Sequence, residues 1–147
     1  MARETVSLAR AMVIAAAIVG ASGCQEETPL APSPGAMTPP LTAESFIGTI
    51  GAGGTAFYSF NVPVDGPVSF TLLQYREDGQ DTTKVALMGL GVPAGTTCIV
   101  ASSVTTAAGG RPQFTQVVPP SIYCVRITDP GQLEGTGEFL INIVRPK

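Results

Sequence analysis

The chain is 147 residues long, 44% apolar but only 13% charged and 6% aromatic, a size that suits one small domain with appendages. Eight Lys and Arg against eleven Asp and Glu leave a formal charge of -3, with the basic residues scattered, so the electrostatic footprint of a nucleic-acid binder is missing. There is no His, which excludes Ser-His-Asp and Cys-His nucleophilic systems, the HExxH zinc site and the commonest neutral-pH general base.

At the N-terminus, Arg3 and Arg10 precede an apolar run over residues 11–23, and the polarity switches abruptly at Gln25-Glu26-Glu27. The run is shorter than the roughly 20 residues that a spanning helix requires. The segment Ala21-Ser22-Gly23-Cys24 resembles the lipobox of bacterial lipoproteins, where small residues precede a cysteine that is lipidated and becomes the new first residue. The resemblance implies a helical signal peptide over residues 1–23, lipidation at Cys24, export to the cell envelope, and a membrane as partner through the lipid anchor. Gln25, where Asp would signal inner-membrane retention, implies an outer-membrane address in a Gram-negative cell. Acyl chains suit this task, because each buried CH₂ contributes about 0.8 kcal/mol and two or more chains hold where one does not.

Residues 24–41 read as a disordered linker. Pro29, Pro32, Pro34, Pro39 and Pro40 lie among Ala, Thr and Ser with no aromatic, so the segment cannot bury enough to fold. In extended polyproline II geometry, at about 3.1 Å per residue, it reaches roughly 50 Å.

Every aromatic residue lies beyond position 45, which places the folded domain at residues 42–147. The pattern there is alternation. Ala56, Tyr58, Phe60 and Val62 share one face, Asp65-Gly66 reads as a two-residue hairpin turn, and Val68, Phe70 and Leu72 repeat the pattern beyond it. Further candidate strands fall at 45–50, 84–90, 96–102, 113–118, 122–128 and 138–145, separated by Gly-Gly, Val-Pro, Pro-Pro and Asp-Pro-Gly breaks. About eight short strands with polar turns predict an all-β domain, an antiparallel β-sandwich of jelly-roll type, because each one-sided sheet must bury its apolar face against another. The segments at 53–63, 66–72, 122–127 and 137–143 resemble the bacterial pre-peptidase C-terminal domain, a secreted β-sandwich appended to exoenzymes. Lys84-Val85-Ala86-Leu87 stands where that family has an acidic Asp-x-Asp-Leu strand, a departure that puts in doubt any metal role the resemblance implies.

With Cys24 assigned to lipid, Cys98 and Cys124 remain, and an exported domain with two cysteines predicts one disulfide between them. Cys124 alternates with Ile122 and Arg126, whereas Tyr123, Val125 and Ile127 form the apolar face, so the bridge is expected on the outer face of its sheet. Gly51, Gly53 and Ala56 match the spacing of a dinucleotide fingerprint, but the alternation of 57–60 and Pro63 leave no room for the helix that would meet the pyrophosphate. A glycine-rich hairpin turn is the reading.

The most polar stretch of the domain, 75–82, carries Tyr75, Glu77, Asp78 and Asp81, the candidate ligand-binding residues. Tyrosine can stack on a sugar, and oxygen-rich loops can hold calcium, although no EF-hand spacing is present. Carboxylate pairs drawn from these residues or from Asp129, Glu134 and Glu138 lack the aromatic cleft of a glycosidase. No cofactor motif and no complete metal-ligand set stands in the chain. The expectation is a non-catalytic, lipid-anchored envelope module with a structural or binding role toward an envelope protein or a glycan. The alternatives are a carbohydrate-recognition module and a calcium-binding accessory domain of an exported enzyme system.

Overall fold

Alternating burial runs through nearly every segment of the computed structural model, which describes residues 38–147. The expected signal peptide, Cys24 and the expected linker up to residue 37 lie outside the described residues. The strands are β1 (Leu41–Ile50), β2 (Thr55–Val62), β3 (Gly66–Glu77), β4 (Gln80–Asp81), β5 (Ala86–Ala94), β6 (Thr97–Thr106), β7 (Phe114–Val118), β8 (Ser121–Thr128) and β9 (Gly137–Pro146). All pairings are antiparallel. One sheet has the order β1-β9-β3, with β7 and the short β4 on the far edge of β3; the other has the order β2-β8-β5-β6.

This is the jelly roll that the alternation predicts, and its logic is a single long hairpin rolled up. β1 pairs with β9, β2 with β8, β3 with β7 and β5 with β6, and the midpoint of every pair falls between residues 91 and 96. The hairpin reverses at Gly95, whose φ of +60° suits the first central position of a II′ turn. Core side chains come from both sheets: Phe60, Val62, Met88, Leu90, Val125 and Ile127 from one, Val68, Phe70, Leu72, Tyr75, Phe139, Ile141 and Ile143 from the other. Phe60 meets Phe70 edge-on across the sandwich at 6.1 Å, and Phe46 stacks on Tyr58 at 5.6 Å.

Three local expectations change. The pair Asp65-Gly66 does not close a hairpin, because β2 and β3 belong to opposite sheets and the segment crosses between them. Gly66 serves a different need: a Cβ there would meet the Pro146 ring at 2.7 Å. Likewise 51–54 is a turn between sheets, with Gly54 N donating to Gly51 O at 2.8 Å and Gly53 at φ +65°. The hairpin that was not foreseen is Asp78-Gly79, where φ values of +48° and +79° make a I′ turn and add β4 as a ninth strand.

Cys98 and Cys124 form the disulfide, with Cα atoms 6.0 Å apart. Cys124 does lie on the face opposite Val125, yet both cysteines are buried, at 1% and 0% exposure. The reason is a fold of the β5–β6 tip. β6 and β8 flank β5, so at about 4.8 Å per strand spacing their backbones should lie nearly twice as far apart as the cysteines allow. A bulge at Leu90/Gly91 bends the hairpin, and the β6 backbone at Ile99 and Val100 lies against Gly91 where a Cβ would stand. Val100 fills the corresponding space at Gly89, and Arg126 Nη1 donates to Cys98 O at 3.2 Å. The bridge thus holds the tip of the rolled hairpin down on the outer face of its own sheet. Removing it by Cys98→Ala with Cys124→Ala is expected to cost about 3.5 kcal/mol on the chain-entropy model, a fall in Tm on the order of 15 °C, while the far-ultraviolet strand signature at low temperature persists.

Candidate functional site

The polar stretch that the sequence singles out folds into two separate environments. In the first, acidic side chains tie together loops that are distant in the chain. Glu77, at the end of β3, accepts from Lys84 Nζ at 2.6 Å, from Glu134 N at 2.6 Å and from Gly135 N at 3.2 Å. Asp78 exchanges two bonds with Thr136: its N donates to Thr136 O at 2.9 Å and its Oδ1 accepts from Thr136 N at 3.0 Å. Asp129, 3% exposed, accepts from Gly53 N at 2.8 Å, from Gln132 N at 2.9 Å and from Leu133 N at 3.2 Å. Gln132 Oε1 in turn accepts from Val85 N at 2.8 Å. Four segments, 51–54, 77–79, 82–85 and 129–136, are therefore fastened by carboxylates and an amide to backbone N–H groups that would otherwise go unpaired.

These bonds set the electrostatics. The Lys84 ammonium, followed by the two backbone donors at Glu134 and Gly135, holds the Glu77 carboxyl down at about 2. Burial works to raise Asp129, but donation from Gly53, Gln132, Leu133 and Gly131 prevails and its pKa is lowered. Beneath them, Tyr75 sits in the core with its ring 3.2 Å from the Cβ position that Gly137 lacks, and its hydroxyl has no partner among the described residues. Burial, then the charges of Asp129 and Glu77, push its pKa up to about 12.

The second environment is an open cleft of about 330 Å³ along the outer edge of β3. β7 leaves β3 after Phe70 and β4 joins it only at Arg76, so no strand covers the edge between. A β-bulge at Leu73 lies within this gap, and segment 107–113 crosses it: Gly109 N donates to Leu72 O at 2.8 Å and Leu72 N donates to Gln113 Oε1 at 2.8 Å. Gln74, Asp81, Thr82 and Gly109 are among the lining residues, and Asp81 is 2.7 Å from Arg76 Nε with its side chain 82% exposed.

Of the four candidate residues, Tyr75 and Asp81 contact the cleft, whereas Glu77 and Asp78 belong to the loop fastening. Tyr75 is 1% exposed, so its ring offers no stacking face to a sugar; the alternation of β3, resumed after the bulge, turns it inward. All nine aromatic residues lie among the described residues, and none is in the exposed class. Both carboxylate oxygens of Glu77 and of Asp129, and Oδ1 of Asp78, are engaged by protein donors, and among the described residues no three acidic or thiol side chains gather as a metal-binding group. Asp129 and Lys84 are the residues whose part sequence reasoning missed. The signals were there: Asp129 opens an Asp-Pro-Gly turn, and Lys84 closes an otherwise acidic stretch. No family model matches the chain, and no curated protein matches it in sequence.

The lowered carboxylates carry a pH dependence. A carboxyl held below its unfolded value stabilises the fold above that value and loses the contribution as pH falls through the folded one. For Glu77 the window runs from 4.5 down to about 2. Tm is expected to hold from neutral pH to the upper edge of this window and then to drop, and Glu77→Gln should flatten the drop. Tyr75→Phe removes a buried hydroxyl with no partner, so thermal unfolding is expected to show unchanged stability or a gain of about 1 kcal/mol. By phenolate absorbance, the same variant should ionise two tyrosines where the wild type ionises three, the lost component being the one pushed up to about 12.

Proposed function

We propose that this chain is a lipid-anchored, non-catalytic module of the bacterial cell envelope, exported by its N-terminal signal and held by lipid on Cys24. The linker from residue 24 acts as the spacer and ends where Pro40 and Leu41 join the β1–β9 ladder, one or two residues before the boundary expected at 42, and the β-sandwich has a structural or binding role. The observation that carries the non-catalytic reading is the use made of the acidic side chains. Glu77, Asp78 and Asp129 are spent on fastening loops and Asp81 is paired with Arg76, a structural use of these carboxylates that supports the non-catalytic reading. A scaffold whose end loops are fastened in this way suits display of a surface better than closure over a substrate.

The likeness to the pre-peptidase C-terminal domain remains part of this reading, supported by the antiparallel sandwich but resting on loose strand motifs. A carbohydrate-recognition role finds less support, because the sugar platform would need an exposed aromatic. A calcium-binding accessory role would need oxygens that the loop donors already occupy.

The experiment is on Cys24. Mass spectrometry of the protein purified from its native membrane is expected to show the mature N-terminus at Cys24 with acyl chains, and Cys24→Ser should release the protein from the membrane fraction. An unmodified Cys24, or cleavage at another position, overturns the lipoprotein reading.

A further inference from the structure

We propose that the free edge of β1 pairs with the β1 edge of a second copy of this chain, in an antiparallel arrangement with its twofold axis at Ser45. The orientation of the edge follows from one bond. Lys147 N donates to Pro40 O at 2.8 Å, which makes Pro40 and Lys147 a hydrogen-bonded pair in the β1–β9 ladder. Hydrogen-bonded pairs recur at every second residue in such a ladder. The even-numbered residues of β1 therefore turn their N–H and C=O groups toward β9. Leu41, Ala43, Ser45, Ile47 and Thr49 turn theirs away from it. Among the described residues no backbone or side-chain group bonds to these N–H and C=O groups.

Apart from one charge, Glu44, the edge carries none of the usual protections. Its register with β9 is unbroken from Leu41 to Ile50, without a bulge, and the strand contains no Pro, no Lys and no Arg. Three other edges of the sandwich are protected: β6 is bent by its bulge, β7 runs into Pro119 and Pro120, and segment 107–113 covers the gap in β3. The β2 edge is as regular as β1, but it is shorter and its exposed side chains are the polar Thr55, Ser59 and Asn61, where β1 exposes Leu41 and Ile47. The same residues of β1 that present free backbone also present exposed side chains, including Ile47 at 71%.

The strand is complementary to itself, which argues for a second copy over an unrelated strand. About an axis at Ser45, Leu41 faces the partner's Thr49, Ala43 faces the partner's Ile47, and Ser45 faces the partner's Ser45. Each free N–H and C=O of the five residues then has a counterpart, and each large apolar side chain lies beside a small one. Glu44, the one charge in the strand, faces the partner's Phe46 and is already held by Arg145 Nε at 2.7 Å and by the Tyr58 hydroxyl at 3.1 Å. Shifting the register by two residues one way sets Glu44 against the partner's Glu44; the other way pairs Leu41 beyond the end of β1. The sequence thus favours one register.

The test uses the full chain in mild detergent. Sedimentation velocity is expected to show the wild type as a dimer across micromolar concentrations. Ser45→Lys and Ser45→Glu each place like charges across the axis on an exposed position, so each should be monomeric with an unchanged strand signature by circular dichroism. An equimolar mixture of the two should regain the dimer. Thr115→Lys, on β7, should dimerise as the wild type does. As a second readout, Ser45→Cys should form an intermolecular disulfide on oxidation that the wild type lacks, since facing residues in a hydrogen-bonded pair lie about 5.5 Å apart. A monomeric wild type, a Ser45→Lys variant that dimerises equally well, or a mixture that stays monomeric overturns the proposal.

Discussion

Antiparallel pairing of the two halves of the chain governs this structure. Because β1, β2, β3 and β5 take their partners from β9, β8, β7 and β6 in reverse order, the roll follows from one doubling back at Gly95. Alternation then decides which side of each strand faces inward, and the two sheets close on a core of aliphatic and aromatic side chains. The corners of the roll fall where the chain changes sheets, at 51–54 and 63–66. Small residues there allow close approach: a Cβ at Gly54 would be 2.7 Å from Gly51 O, and one at Gly66 the same distance from Pro146.

A roll of this kind leaves long loops at its ends and edges at its flanks, and the chain treats the two differently. With few charges available, it assigns three carboxylates to backbone donors in the loops; at the buried Asp129 the low-dielectric surroundings make each bond stronger and each unmade bond more costly, while Glu77 and Asp78 fasten loops nearer the solvent. The tip is held by a covalent bond and by the absence of side chains at Gly89 and Gly91. β1 has neither device. Its Gly48 is covered by the Phe139 ring, so the inner face is filled while the edge itself stays open.

How much of this was legible depends on the range of the determining contact. Alternation is local, and the inward placement of Phe60, Val68, Phe70, Val125 and Ile127 follows from it. The two Asp-Gly pairs show where local reading ends. Asp78-Gly79 turns with positive φ because β4 returns along the strand it has just left, whereas Asp65-Gly66 leads into the opposite sheet. The dipeptide is the same; the strands that wait on either side differ, and those are fixed by residues 50 or more positions away. Tyr75 is a similar case. A polar neighbourhood in sequence suggested an exposed ring, but the bulge at Leu73 restores an inward phase that a simple count along β3 does not reveal. The cysteine pair was legible as a pair. Its burial was not, because it depends on β6 folding over Gly91.

The position of β9 has a consequence for the order in which the molecule assembles. The last strand of the chain is the one that lies between β1 and β3, so the sheet cannot close until the C-terminal residues have been made and have found a slot between strands about 70 to 100 positions earlier. The β5–β6 hairpin, by contrast, needs only its own residues and can form on a microsecond timescale. Contact range alone therefore favours the tip before the termini, and a chain shortened by proteolysis before Gly137 is left with two strands that have lost the partner common to both.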